Sequence, residues 1–267
     1  MLTDSHCHLF YDEIQNDIEN IFDRSKQLGV NRFICVGTNI HDSAQSLDIA
    51  EKYDNVFCSA GVHPHDAKDV GVDYIQQIET MMRSDKMIAV GEIGLDYYRN
   101  ISPKKNQIKI FHELLTLADK INKPVIFHNR EADNDILDIL SSYPNVIGVS
   151  HCFSSTLSTA KKLLDMGYYI SFSGNLTFKN STLPSVAKYL PLDRLLVETD
   201  SPYLSPEPFR GKVNEPGRTR YVAEKLAEIH NVSFELIAKK TTELSLIHIS
   251  EPTRPRLISY AVFCLKK

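Results

Sequence analysis

The order in which apolar runs recur limits the fold of this chain more than anything else in it. Short β-branched or apolar stretches stand at Leu2 to His6, Arg32 to Gly37, Val56 to Gly61, Met87 to Gly94, Pro124 to His128, Val146 to His151, Tyr168 to Phe172 and Arg194 to Asp200. Segments with helical spacing lie between them, among them Ile14, Ile18, Ile21 and Phe22, then Ile108, Phe111, Leu114 and Leu115, then Leu157, Ala160, Leu163 and Leu164. Gly29 and Gly167 each end a helical run just before a strand. Strands that are apolar throughout need cover on both faces, as in a parallel sheet flanked by helices. Eight such units in 267 residues predict an α/β fold, a single-domain (β/α)8 TIM-type barrel. A doubly wound open sheet is the competing arrangement. It is disfavoured because no Gly-x-Gly-x-x-Gly turn follows the first strand, and because polar residues end many strands where an open sheet gathers them at one switch point.

Composition narrows the function classes. With 42% hydrophobic residues the chain can fill one large core. Its 30 Lys+Arg and 34 Asp+Glu leave a net charge of −4, so no global positive field holds duplex nucleic acid and any such contact must be local. No apolar run approaches the roughly 20 residues of a membrane span, and MLTDSHCHLF lacks the regions of a signal peptide. A soluble cytoplasmic protein with no membrane association and no obligate protein partner is expected. The five cysteines show no paired spacing and are read as reduced. Strand alternation marks Cys7 and Cys152 as packing residues that face away from their histidine neighbours.

Chemistry gathers at carboxyl ends of strands. His6 and His8 follow the first, His63 and His65 the third, Glu92 the fourth, His128 the fifth, His151 the sixth and Asp200 the eighth. A parallel barrel brings these ends to one face, and several imidazoles with two carboxylates in one pocket make a metal site. Glu92 stands in an otherwise apolar strand and needs a cation, either a metal shared between two sites or an ion pair with Arg99 or Arg130. Asp200 is the candidate general base, because a carboxylate touching both a metal and its water can take the water's proton. Glu198 is placed to orient a ligand histidine. Asp96 fits either a supporting role or a turn cap. His63, Arg130 and Arg210, with Lys212 and Asn214, are candidate substrate contacts, and His65 is expected in solvent. Tyr97, Tyr98, Phe153, Phe178 and Tyr203 lie near strand ends, where aromatics can stack on bases or simply pack.

The strings DSHCHL, GVHPHD, VGEIGLDYY, PVIFHNREA, SHCFS, FSGNLTFKNS, LLVETDSPYL and PFRGKVNEP, in this order, resemble the TatD family of metal-dependent deoxyribonucleases, within the wider amidohydrolase-like metal barrels. The resemblance implies two divalent metal ions (Mg, Mn or Zn), one held by His6, His8 and Asp200, the other by His128 and His151, with Glu92 bridging them. It also implies hydrolysis of phosphodiester bonds, with DNA ends or single-stranded DNA as substrate and often cleavage from a 3′ end. Glu92 and Asp200 are then the catalytic carboxylates. A metal-dependent esterase, lactonase or amidase on the same barrel is the main alternative. A non-catalytic nucleic-acid-binding scaffold would lack ligands, and none is missing here.

One segment stands apart. Residues 1–243 carry the hydrolase pattern, whereas Leu244 to Lys267 breaks a helical run in mid-course. Its opening, LSLIHISEPTR, resembles a translated transposase-type sequencing adapter, so 244–267 is expected to be a non-native tail with few core contacts. The alternative is a divergent native end.

Overall fold

A computed structural model describes residues 1–250, with the side chains of 246–250 left aside. Eight parallel strands follow chain order around the sheet: β1 (Leu2–Cys7), β2 (Val30–Val36), β3 (Val56–Ala60), β4 (Met87–Asp96), β5 (Val125–Arg130), β6 (Gly148–Ser150), β7 (Tyr169–Phe172) and β8 (Leu195–Val197). The helices between and after them are α1 (Asp12–Gln15), α2 (Ile18–Gln27), α3 (Ile40–Lys52), α4 (Tyr74–Met81), α5 (Lys104–Ile121), α6 (Asp133–Ser141), α7 (Leu157–Asp165), α8 (Leu183–Ala187), α9 (Thr219–His230) and α10 (Phe234–Ser250). The fold is the expected (β/α)8 barrel.

Local chemistry sets the element ends. The side chain of Asn39 accepts from the Asp42 N–H at the start of α3, and that of Thr156 accepts from Thr159 N–H at the start of α7. Asn122 and Asn231 take the left-handed conformation that ends α5 and α9. Phe33, Phe111, Phe127, Tyr168 and Phe172 are fully buried in the main apolar cluster, which joins barrel to helices.

The barrel closes beyond the end of β8. Asp200 N–H donates to His6 C=O and His8 N–H to Ser201 C=O, both at 2.9 Å, and Cys7 bridges Ser201 in parallel. Below this seam the buried Asp4 carboxylate accepts from Thr199 N–H at 2.8 Å and from the Thr199 hydroxyl. These bonds lock the first strand to the last, and with them the side chains that each carries to the mouth.

Helix α10 runs on through Ser250. Leu244 is buried with Val149 and Leu196, and the buried Ser245 donates to Thr242 C=O at 2.9 Å. These first two residues of the expected tail are thus buried against the fold. Leu244 falls two turns after the buried Ile237, and so on the same helix face. The rest of the expectation for the tail concerns the side chains of 246–250 and residues 251–267, which lie outside the described residues.

Candidate metal centre

All six candidate ligands meet at the carboxyl-end mouth of the barrel. Glu92 is the hub. Its Oε2 lies 3.4 Å from His6 Nε2, while its Oε1 lies 3.3 Å from His128 Nδ1, 2.9 Å from His151 Nε2 and 3.3 Å from His63 Nε2. On the Oε2 side, His6 Nε2 and His8 Nε2 are 3.3 Å apart, and Asp200 Oδ1 lies 3.6 Å and 3.4 Å from them. Ligating atoms of His6, His8 and Glu92, of His6, His151 and Asp200, and of His63, Glu92 and His128 each fall within 4.8 Å of one another. The alternative of an Arg99 or Arg130 ion pair for Glu92 is not realised; imidazoles surround the carboxylate.

Strand geometry explains the convergence. In β4 both Glu92 and Asp96 reach the His128 ring, so a second carboxylate follows the first toward the mouth. Gly94 has φ +129°, and a Cβ there would lie 2.1 Å from the His128 carbonyl oxygen. Gly94→Ala is therefore expected to push β5 outward and cost at least about 2 kcal/mol of stability. Denaturant titration against wild type checks this, and an unchanged midpoint would contradict it. Asp200 itself sits at φ +57°, a left-handed conformation, with its Oδ1 reaching His6 and His8.

Three of the candidate-ligand histidines have an outer neighbour in the fold, while the buried His6 Nδ1 has no hydrogen-bond partner among the described residues. His8 Nδ1 donates to Val36 C=O at 2.7 Å, His128 Nε2 lies 3.3 Å from Asp96 Oδ2, and His151 Nδ1 lies 3.3 Å from Glu198 Oε1. Glu198, read from the sequence as an orienting residue, lies beside the His151 ring. Asp96 fills both of its alternatives, since it also accepts from Arg99 N–H at 2.7 Å and caps that turn. These outer partners leave one nitrogen of each ring pointing into the cluster, as metal-ligating histidines require. Inward-facing nitrogens crowded among carboxylate oxygens fit divalent cations well.

Charge balance points the same way. Burial pushes the Glu92 carboxyl up, but His151, His63 and His128 outweigh it and hold it well below the usual carboxylate value. Asp200 is lowered, because His8 and His6 overcome the effect of burial. Burial would lower His151 too, yet Glu92 and Glu198 raise it well above a free histidine. Burial is likewise outweighed at His8, which Asp200 raises, and at His128, which Asp96 and Glu92 raise. Protons on these rings stand where cations would stand, so metal loading competes with protonation and strengthens as pH rises.

A cleft of about 800 Å³ opens above the cluster, lined by residues that include His63, His65, Tyr98, Arg99, Arg130, Cys152 and Tyr203. Tyr98, Arg99, Arg130 and Tyr203 are exposed on its rim, with the Arg130 guanidinium 4.9 Å from the Tyr98 ring centre. Other residues singled out in the sequence fall in different places. Arg210 is not among the residues lining this cleft; it lies 3.6 Å over the Phe178 ring. Asn214 is buried and spends its amide N–H groups on Thr199 C=O and Tyr203 C=O, pinning the loop. His65 is half-buried, with Nε2 2.9 Å from Asp96 Oδ2. Phe153 is buried and packs, in line with the packing alternative given for it. Cys152 lines the cleft because its φ of +43° breaks the alternation that predicts an outward thiol.

The sequence model described as TatD related DNase matches residues 3–247. The chain belongs to this family. It is 40% identical over 246 residues to the uncharacterised metal-dependent hydrolase YabD of Bacillus subtilis, covering 91% of this chain and 96% of that one. It is 35% identical over 235 residues to the 3′-5′ ssDNA/RNA exonuclease TatD of Edwardsiella piscicida, covering 85% of this chain and 90% of the relative. The crystal structure of YjjV, a TatD homologue from Escherichia coli K12, superposes with a TM-score of 0.88 at 29% identity, over 93% of this chain and 97% of the other. TatD membership agrees with the resemblance carried by the eight sequence strings.

Proposed function

We propose that this TatD-family protein is a metal-dependent hydrolase that cleaves phosphodiester bonds of DNA, working from the 3′ end of single strands at a binuclear centre. The observation that carries this reading is the division of Glu92, whose two carboxylate oxygens face two different sets of imidazoles. His6, His8 and Asp200 would hold one ion, His128 and His151 the other, with Glu92 between them. Divalent cations, when bound, supply Lewis acidity that activates a water and offsets charge on the phosphoryl group.

The chain's own residues do the rest. Asp200, ionised through the neutral range, accepts the water's proton. Asp96 and Glu198 hold the rings of His128 and His151 in register. Arg130 and Arg99, both lining the cleft, would meet the phosphates on the 5′ side of the scissile one, while exposed Tyr98 and Tyr203 offer faces on which bases stack. A local basic rim on a chain of net charge −4 suits a chain-end reader better than a binder of long duplexes. An open cleft with charged walls also suits a polyanion, where an esterase or lactonase would close an apolar pocket around its substrate. No helix of the described residues is long and apolar enough to cross a membrane.

End-labelled single-stranded DNA, duplex DNA and RNA, each incubated with the protein across a panel of metals, test the reading. Chelation is expected to abolish cleavage, added Mg or Mn to restore it, and single-stranded DNA to be shortened from its 3′ end. Chelator-resistant cleavage would sink the metal mechanism. Hydrolysis of esters or lactones with no action on nucleic acid would favour the alternative enzyme class.

A further inference from the structure

We infer that His63 is a neutral hydrogen-bond donor to the phosphoryl oxygens of the substrate, and not a third ligand of the His128 side of the centre. This rests on the phosphodiesterase reading above. The hydrogen-bond pattern of the rings separates His63 from its neighbours. A neutral imidazole has one N–H and one lone pair, and a metal takes the lone pair. At His8 the N–H is spent on the Val36 carbonyl; at His128 and His151 the outer nitrogen faces the Asp96 and Glu198 carboxylates. The inner nitrogens of His8 and His128 therefore present lone pairs to the cluster.

His63 has the opposite polarity. Its Nδ1 accepts the backbone N–H of His65 at 3.2 Å, which places the lone pair on the outside and the ring's proton on Nε2. Nε2 is the atom that lies 3.3 Å from Glu92 Oε1 and shares the 4.8 Å neighbourhood of His128. Proximity alone would make it a ligand; the proton it carries makes it a donor. The backbone holds this arrangement from both sides, since His63 N–H donates to Thr38 C=O at 2.7 Å and Asp66 N–H to His63 C=O at 2.9 Å. The ring is further confined edge-on between His65 and His128, with centroids 4.3 Å and 4.7 Å away. Its N–H thus faces the Glu92 anion, and because His63 also lines the cleft, an entering phosphoryl oxygen is a second anionic acceptor within its reach. Such a donor stabilises charge on a non-bridging oxygen without taking or giving a proton.

The test uses full-length protein carrying His63→Gln, His63→Ala or His63→Leu. Glutamine keeps an N–H near the Nε2 position; alanine and leucine remove it, and leucine preserves the ring's bulk should alanine impair folding. Metal content is measured by elemental analysis, the visible spectrum after Co(II) substitution, and affinity for inorganic phosphate by calorimetry on the metal-loaded protein. All three variants should keep the wild-type metal stoichiometry, and the Co(II) spectrum should not move. Phosphate affinity should fall roughly 10- to 100-fold in the alanine and leucine variants and recover largely in the glutamine variant. Loss of a metal equivalent, a shifted Co(II) spectrum, or unchanged phosphate affinity in the donor-less variants would overturn the assignment. If those phosphate results appear but wild type cleaves no nucleic acid, the donor role stands and the nuclease reading falls.

Discussion

Glu92→Ala should strip the protein of both metal ions, whereas His128→Ala should strip chiefly one. Among the described residues, Glu92 is the only side chain whose two oxygens face both sets of imidazoles, at 3.4 Å on the His6 side and 2.9 Å on the His151 side. His128 meets the cluster through Nδ1 alone and on one side alone. Removing the carboxylate also leaves buried His6 and His151 without the anion that balances a cation or a proton between them. Losing both cations withdraws several kcal/mol of transition-state stabilisation, so turnover of Glu92→Ala should drop by about 10³-fold or more. Metal content by elemental analysis, with circular dichroism to confirm folding, distinguishes the two variants. Equal metal loss in both would argue that Glu92 does not bridge.

The second large effect is expected at Asp200. Asp200→Asn keeps the shape and can still offer an oxygen to a metal, but the amide cannot accept the water's proton. Turnover should fall by roughly 10²- to 10⁴-fold, while affinity for a single-stranded DNA end changes far less. Single-turnover cleavage and equilibrium binding on the same oligonucleotide separate these quantities. A parallel loss of affinity would reduce Asp200 to a ligand. The seam that carries it is part of the argument: Asp200 N–H and His8 N–H bond across the β8–β1 junction, so the proposed base and two candidate ligands, His6 and His8, sit on one closed edge of the barrel.

The sequence by itself determined the barrel and the residues at its mouth. Both follow from local properties: a run such as Val125 to His128 declares a covered strand by its composition, and a histidine at its end lies at the carboxyl face wherever that strand is placed. Eight repetitions in chain order then leave little choice of architecture, and His6, His8, Glu92, His128, His151 and Asp200 share a face without any knowledge of distances. Tertiary structure alone decided which atoms of those residues face inward. Whether His128 presents Nδ1 or Nε2 depends on Asp96, and whether His63 presents a lone pair or a proton depends on the His65 backbone N–H. The same dependence sent Arg210 onto Phe178 and Asn214 into its own loop, and turned Cys152 toward the cleft through one left-handed φ. Periodicity records how often a residue type recurs along the chain; it carries no information about backbone sign, ring orientation or a partner on another element. Those are fixed only when distant segments pack and each buried polar atom must find the one neighbour able to satisfy it.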